Sequence, residues 1–165
     1  MLRAGVIGLG DMGSGLAKNL IKNGIATTGL DLSDERMSAF VEMSGTPAGS
    51  VAELGTNSDA VFVMVMNGVQ AKEVILGDDG LAAHMPKGGA VILTATIKPS
   101  EARDIGAALE GSGIHLIDSP VSGGFPGAQG GTLTMMAAAT SEVLDQYKPI
   151  MGAVSKTIHR VGTCL

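Results

Sequence analysis

Cysteine and aromatic residues are nearly missing from this sequence of 165 residues. The one cysteine, Cys164, excludes an internal disulfide, in keeping with a reducing cytoplasm. One tyrosine and three phenylalanines are the only aromatic residues. The core is therefore predicted to be aliphatic, built from valine, isoleucine, leucine and alanine, with the ten methionines filling gaps.

Long apolar runs and clustered positive charge are also missing. The longest apolar run, residues 60–66, is far shorter than the roughly 20 residues of a membrane span. The eleven lysines and arginines are scattered in a chain of net charge −5, which argues against nucleic-acid binding. The three histidines lack metal-ligand spacing, so no metal site is predicted. Because the first strand begins almost at the N-terminus, we expect no signal peptide and a cytoplasmic protein.

What the chain does contain is an alternation of short apolar runs with amphipathic patterns. Hydrophobic residues make up 45% and charged residues 16%, which excludes disorder. The alternation predicts an α/β class with a largely parallel sheet in a single domain over residues 1–165. Strands are predicted at residues 3–9, 26–30, 46–49, 60–66, 90–93, 114–117, 133–139 and 154–159. Helices are predicted at residues 11–23, 51–54, 70–76 and 142–147, and from Ser33 and Pro99, with Pro149 ending or kinking the last one.

A glycine-rich stretch, residues 8–13, separates the first predicted strand from the first predicted helix. In its G-x-G-x-x-G pattern, Gly8 permits a tight turn, Gly10 lets the backbone approach a diphosphate, and Gly13 lets helix and strand pack closely. Unpaired N–H groups at the helix start attract anions. The pattern therefore predicts a Rossmann-type, doubly wound sheet. Its glycine loop (residues 8–13) is expected to bind a dinucleotide through Gly8, Leu9, Gly10, Asp11, Met12 and Gly13.

Asp31 follows the second apolar run, eighteen positions after Gly13. A carboxylate there accepts hydrogen bonds from the ribose hydroxyls and repels a 2′-phosphate, so the predicted cofactor is NAD rather than NADP. Two alternatives stay open. In one, Asp31 only opens the turn before Ser33; in the other, Arg36 swings in and meets the phosphate of NADP.

Further polar groups are expected near the same cofactor, because ligands of such sheets bind beyond the carboxyl ends of the strands. Asn67 offers an amide to the ribose or the phosphates, or else caps the following helix. Thr96 offers a hydroxyl to the nicotinamide amide or to the substrate, or else satisfies a turn. The predicted cofactor contacts beyond the glycine loop are Asp31, Met64, Val65, Met66, Asn67 and Thr96.

A second glycine-rich stretch, the carboxylate segment (residues 118–124), reads Asp-Ser-Pro-Val-Ser-Gly-Gly. Ser122, Gly123 and Gly124 can present a hydroxyl and two bare N–H groups in one direction, which makes a small site for a carboxylate. The alternative is a flexible surface loop.

Together the two stretches resemble the β-hydroxyacid dehydrogenase family, whose members include 3-hydroxyisobutyrate dehydrogenase. The similarity lies in residues 8–13 with 17–20, and in residues 118–124 with 131–136. Asp31 and residues 64–67 look most like its L-threonate dehydrogenase branch. The resemblance implies an NAD-binding domain of an enzyme that reversibly oxidises a small 3-hydroxy acid by hydride transfer. It also implies that Ser122, Gly123, Gly124 and Thr96 bind that substrate.

The same resemblance implies that a part is missing. In the family, a catalytic lysine lies on the first helix after the Rossmann domain, within an all-helical domain that mediates dimers. No lysine here occupies a matching position, and Lys98 is interpreted as a solvated loop residue. We therefore expect no catalytic residue within this chain, a general base beyond Leu165, no helical domain, and an inactive fragment of a homo-oligomeric parent. A stand-alone NAD-binding module or redox sensor without catalysis is the alternative.

Overall fold

Three short apolar strands with every residue buried form the centre of a nine-stranded sheet. They show no alternation of apolar and polar residues because helices cover both faces of the sheet. The computed structural model describes residues 1–163, so Cys164, whose lone thiol carried the disulfide argument, lies outside the described residues. The strands are β1 (Ala4–Ile7), β2 (Thr27–Leu30), β3 (Thr46–Pro47), β4 (Ala60–Val63), β5 (Ala90–Leu93), β6 (His115–Asp118), β7 (Val121–Ser122), β8 (Leu133–Ala138) and β9 (Ser155–Gly162).

Eight helices connect these strands within the described residues. They are α1 (Asp11–Lys22), α2 (Asp34–Glu42), α3 (Val51–Thr56), α4 (Gly68–Leu76), α5 (Leu81–His84), α6 (Pro99–Leu109), α7 (Gly124–Gly130) and α8 (Ser141–Val154). No helix in residues 1–163 combines the length and the apolar character that crossing a membrane requires.

The strand order is β3-β2-β1-β4-β5-β6-β8-β7, and β9 pairs with β8. Strands β1 to β6 run parallel, whereas β8 is antiparallel to β6 and β7. The order 3-2-1-4-5-6 is that of dinucleotide-binding folds, whose ligands lie where the chain reverses direction across the sheet, here between β1 and β4. The predicted single-domain, Rossmann-type α/β fold is confirmed.

Two hydrophobic cores lie on opposite faces of the sheet, and consecutive strand residues feed them in turn. Val6 packs into the core of α1 and α8, whereas Ile7 packs into the core of α3, α4 and α6. The second core is aliphatic, as predicted. The first also holds three of the four aromatic side chains, Phe40, Phe62 and Tyr147, all fully buried.

The structure corrects several predicted boundaries. Strand β4 ends at Val63 rather than at residue 66, and α5, α7 and β7 lie in stretches without a predicted element. Helix α8 does not end at Pro149 but continues for five more residues. Ile150, Met151 and Val154 are buried there. Burying each such side chain stabilises by about 1.5–3 kcal/mol, which together outweighs the roughly 3 kcal/mol that an interior proline costs.

The amino ends of the central strands are joined by side-chain bonds. Asp59, just before β4, accepts hydrogen bonds from the Arg3 backbone N–H at 2.8 Å and from Arg3 Nη2 at 2.8 Å. These bonds hold the pKa of Asp59 below its ordinary value. The Tyr147 hydroxyl of α8 donates to the Gly88 carbonyl at 2.6 Å. Burial, and to a smaller extent the charge of Asp59, raises the pKa of Tyr147.

Candidate functional site

The glycine loop is folded so tightly that side chains are excluded at both of its ends. Gly8 has φ +90°, and a Cβ built there would lie 2.1 Å from the Met64 carbonyl oxygen. A Cβ on Gly13 would lie 1.7 Å from the Gly8 carbonyl oxygen. At Gly10, the residue that precedes α1, the nearest atoms to such a Cβ belong to Arg36 at 3.7 Å. The loop therefore packs tightly at both of its ends, and it presents bare backbone at its middle.

Helix α1 begins directly on this bare turn. Its N-cap residue, Gly10, supplies no side-chain hydrogen bond, so no side chain of the cap satisfies the first N–H groups of the helix. Those groups and the positive end of the helix dipole form a site for a phosphate. Within the predicted set, Asp11 is exposed, and Met12 is half-buried against the core.

Asp31 joins the glycine loop to the end of β2. One of its carboxylate oxygens accepts from the Leu9 N–H at 2.7 Å, and the other accepts from the Ser33 N–H at 2.8 Å. Asp31 therefore opens the turn before α2, as one interpretation predicts, and also touches the glycine loop, while its contact with a ribose stays a prediction. Its side chain is 8% exposed. The Leu9 N–H is already used by Asp31, and the Leu9 side chain is buried in the core.

Arg36 lies over this part of the loop. Its Nη1 is 3.5 Å from a carboxylate oxygen of Asp31, and its guanidinium is also the nearest group to the open face of Gly10. The charge of Asp31 is thus partly balanced by a cation that is already at the loop, and that remains more than half exposed.

The turn after β4 contributes the next group of predicted residues. Met64 and Val65 are half-buried and Met66 is exposed. The Met66 N–H donates to Gln70 Oε1 at 2.9 Å. Asn67 Oδ1 accepts from the Gln70 N–H at 2.9 Å, so Asn67 caps α4 as its alternative interpretation predicts. Its amide nitrogen is a donor that the cap does not use.

Two threonines follow β5, of which one is buried and bonded and the other is exposed. Thr94 is buried, and its hydroxyl donates to the Val63 carbonyl at 3.1 Å. Thr96, predicted to touch nicotinamide and substrate, is exposed two residues later. Lys98 is also exposed, and its backbone N–H donates to Glu101 at the start of α6. This placement agrees with its interpretation as a loop residue.

The carboxylate segment connects β6 to α7. Ser122, Gly123 and Gly124 are exposed, and the two glycines have φ +129° and +57°, conformations that favour glycine. Burial raises the pKa of Asp118, at the end of β6. Ser119 is fully buried, and its hydroxyl oxygen has no hydrogen-bond partner.

The sequence interpretation gave no role to two amide side chains, Asn19 on α1 and Gln129 on α7, that link the two helices. The sequence does contain a signal for the role of Asn19. Asn19 lies three residues after Leu16, on the apolar face of α1, where a buried amide needs partners. Within residues 1–163, no three or more histidine, cysteine, aspartate or glutamate side chains are grouped to hold a metal ion.

Comparison with known proteins agrees with this geometry. The sequence profile of the NAD binding domain of 6-phosphogluconate dehydrogenase matches residues 3–162. The chain belongs to this family. The bare backbone at Gly10, where the nearest atoms to a Cβ lie 3.7 Å away on Arg36, fits the close approach of the diphosphate of the family's cofactor.

Relatives within the family are hydroxyacid dehydrogenases, which confirms the resemblance seen in the sequence. L-threonate dehydrogenase of Cupriavidus necator is 37% identical over 158 residues, which are 96% of this chain and 53% of the relative. NAD-dependent L-serine dehydrogenase of Pseudomonas aeruginosa is 35% identical over 162 residues, 98% of this chain and 54% of the relative. The crystal structure of 3-hydroxyisobutyrate dehydrogenase from Salmonella typhimurium superimposes with a TM-score of 0.93 at 32% identity, covering 99% of this chain and 57% of that chain.

Two conclusions follow from these relatives. The chain is an NAD-binding domain of the hydroxyacid dehydrogenase type, and no relative named here supports the alternative of a module without catalysis. The chain also spans about half the length of the curated relatives that it matches.

Proposed function

We propose that this chain forms the cofactor half, and part of the substrate site, of an enzyme that reversibly oxidises a small 3-hydroxy acid. The observation that carries the proposal is the glycine loop, where a Cβ on Gly13 would lie 1.7 Å from the Gly8 carbonyl and bare backbone faces outward at Gly10. Asp31 is bonded to the same loop at 2.7 Å. One dinucleotide can therefore meet both features.

Within the proposed site, the chain's residues bind and orient the cofactor. The backbone of residues 10–13 receives the diphosphate, and Asp31 accepts from the ribose hydroxyls. A carboxylate oxygen accepts more than one hydrogen bond, so the existing bonds to Leu9 and Ser33 leave capacity for the ribose. The negative charge of Asp31 favours NAD over NADP, and Arg36 moderates that preference. When bound, NAD accepts the hydride.

The substrate is oriented by its carboxylate. We assign the Ser122 hydroxyl and the N–H groups of Gly123 and Gly124 to this carboxylate, because all three residues are exposed and the two glycines hold a backbone conformation that bulkier residues rarely adopt. Thr96, exposed after β5, is assigned to the nicotinamide and the substrate hydroxyl. Holding the substrate in one orientation raises the rate of transfer by removing unproductive encounters.

Oxidation of an alcohol also needs a group that accepts the hydroxyl proton. Among the described residues, Lys98 is the lysine nearest in sequence to Thr96, and it is exposed at the start of α6. The family resemblance implies a lysine outside this chain, in a helical domain through which the parent forms a homo-oligomer, and we assign the proton acceptor to that lysine. This chain alone is then expected to bind cofactor but to transfer hydride only at trace rates.

Titration of the 165-residue chain with NADH, followed by NADH fluorescence, tests the proposal. We expect saturable binding at one site and only trace NADH formation from NAD with L-threonate, L-serine or 3-hydroxyisobutyrate. Absence of NADH binding would overturn the cofactor assignment. Appreciable turnover would instead place the proton acceptor within this chain. Tighter binding of one of these acids in the presence of NAD, lost in Ser122→Ala, would distinguish the dehydrogenase from a module that binds only the nucleotide.

A further inference from the structure

Helices α1 and α7 are in backbone contact, although they serve different parts of the proposed site. Helix α1 starts on the glycine loop, and α7 starts at Gly124, the last residue of the carboxylate segment. A Cβ on Gly15 would lie 2.6 Å from the Ala128 carbonyl carbon, so this glycine permits the close approach. The two predicted ligand-binding loops are therefore mounted on one pair of touching helices.

Asn19 bonds α1 to the end of α7. Its side chain is buried, and its Nδ2 lies 2.8 Å from the Gly15 carbonyl, 2.9 Å from the Ala128 carbonyl and 3.2 Å from the Gln129 carbonyl. The carbonyls of Ala128 and Gln129 lie in the last turn of α7, where helix carbonyls are short of partners, and Ala128 accepts a long hydrogen bond of 3.4 Å from the Gly131 N–H. The amide of Asn19 thus satisfies acceptors on both helices at once.

Gln129 makes the reciprocal connection, from α7 to the first turn of α1. Its Nε2 lies 3.2 Å from the Asp11 carbonyl and 3.3 Å from Ser14 Oγ. These acceptors belong to the turn whose N–H groups face the proposed diphosphate. A change in that turn on binding an anion therefore reaches Gln129 directly, and through α7 it reaches Gly124.

We propose that Asn19 and Gln129 are positioning residues that couple cofactor binding at the glycine loop to the ordering of the carboxylate segment. The inference rests on the proposed cofactor role of residues 8–13. Such coupling is reciprocal, so a bound substrate carboxylate also strengthens cofactor binding. The carboxylate segment therefore becomes ordered for substrate binding once the dinucleotide has bound.

Amide hydrogen exchange of the 165-residue chain, with and without saturating NADH, tests this coupling. We expect NADH to slow exchange at residues 8–14 and also, by about fivefold or more, at residues 122–131. Gln129→Met keeps the length of the side chain and removes its donors. In this variant, we expect the slowing at residues 8–14 to persist and the slowing at residues 122–131 to fall to less than about a third of its original value.

Gln146→Met is the matched control, because Gln146 loses a single amide bond, to the Tyr147 hydroxyl on α8. It should leave both NADH-dependent effects unchanged. Normal slowing at residues 122–131 in Gln129→Met would overturn the coupling and leave the proposed function standing, even if the variant is less stable. Absence of any slowing at residues 8–14 in the wild-type chain would overturn the proposed function and the coupling with it.

Discussion

The amino edge and the carboxyl edge of the sheet differ in how their side chains are bonded and exposed. At the amino edge, Arg3 and Asp59 bridge β1 and β4, and the Tyr147 hydroxyl fastens α8 to Gly88 before β5. At the carboxyl edge, the turns that follow β4 and β7 instead leave apolar side chains in solvent, with Met66 85% exposed and Phe125 also exposed. Side-chain hydrogen bonds therefore join the elements where the strands begin, and apolar side chains are left exposed where they end.

Two carboxylates show the same contrast electrostatically. Hydrogen bonds from Arg3 lower the pKa of Asp59 at the amino edge. Burial raises the pKa of Asp118 at the carboxyl edge. Asp31 departs from this division because it lies at the carboxyl edge and nevertheless accepts hydrogen bonds from two backbone N–H groups. We expect a variant at the amino edge to lower stability alone, and variants at Gly13 and Asp31, at the carboxyl edge, to lower cofactor affinity as well as stability.

The largest effect is expected from Gly13→Ala. Its Cβ would lie 1.7 Å from the Gly8 carbonyl oxygen, so the loop must open and the diphosphate site is lost. We expect NADH affinity to fall by about 100-fold or more, equivalent to about 2.8 kcal/mol, together with a clear loss of stability. Fluorescence titration and chemical denaturation measure the two quantities.

Gly152→Ala is the matched control for that substitution. Gly152 lies within α8, and no atom lies within 4 Å of a Cβ placed there. The added methyl should leave NADH affinity unchanged and stabilise the helix by up to about 1 kcal/mol. Equal losses of affinity in both variants would show that the glycine loop is not the binding site.

The next largest effect is expected from Asp31→Asn. This variant tests a residue that lies at the carboxyl edge and is nevertheless bonded to backbone N–H groups. Loss of the charged acceptor for Leu9 and Ser33 is expected to lower the free energy of unfolding by about 1–3 kcal/mol. NADH affinity should fall by about tenfold, and the preference for NADH over NADPH should narrow. Asp34→Asn, an equal charge change at an exposed position on α2, serves as control. An unchanged NADH-to-NADPH ratio in Asp31→Asn would remove Asp31 from ribose binding.

The smallest effect is expected from Asp59→Asn at the amino edge. Because Arg3 and Asp59 are partly exposed, the loss of stability should be about 1 kcal/mol, with NADH affinity unchanged. The pKa of Asp59 is lower in the folded chain, so its contribution is complete above the unfolded pKa of about 3.9 and disappears as the pH falls through the folded value. Denaturation at pH 7, 5 and 3 should show a difference between wild type and variant that persists at pH 5 and shrinks at pH 3. A difference in the free energy of unfolding that stays constant across this pH range would show that the effect does not arise from the charge of Asp59.

Features that depend on local backbone constraints were predictable from the sequence. Residues that are neighbours along the chain determine the glycine loop, the Ser33 cap of α2 and the end of β2 at Leu30. The NAD-binding fold itself follows from the alternation of strands and helices around that loop. The individual roles of Asp31, Asn67, Thr96 and Ser122 in binding cofactor and substrate stay predictions.

Features that depend on distant partners were not predictable in the same way. Asn19 meets Ala128 across 109 positions, and neither residue signals the other in the sequence. Helix α8 continues through Pro149 because the side chains beyond it find a core that only the folded chain supplies. Helix α7 has three glycines in seven residues, so its local propensity is poor, and its packing on α1 decides its conformation.

The scarcity of aromatic residues has a practical consequence at Tyr147. The sequence has no tryptophan, so this single tyrosine is the chain's main intrinsic fluorophore. It is buried with its hydroxyl bonded to a main-chain carbonyl at the amino edge of the sheet, whereas the glycine loop lies at the carboxyl edge. Its emission therefore reports whether the polypeptide is folded, while the light emitted by reduced nicotinamide reports whether the site is filled, and the two signals can be read from one sample.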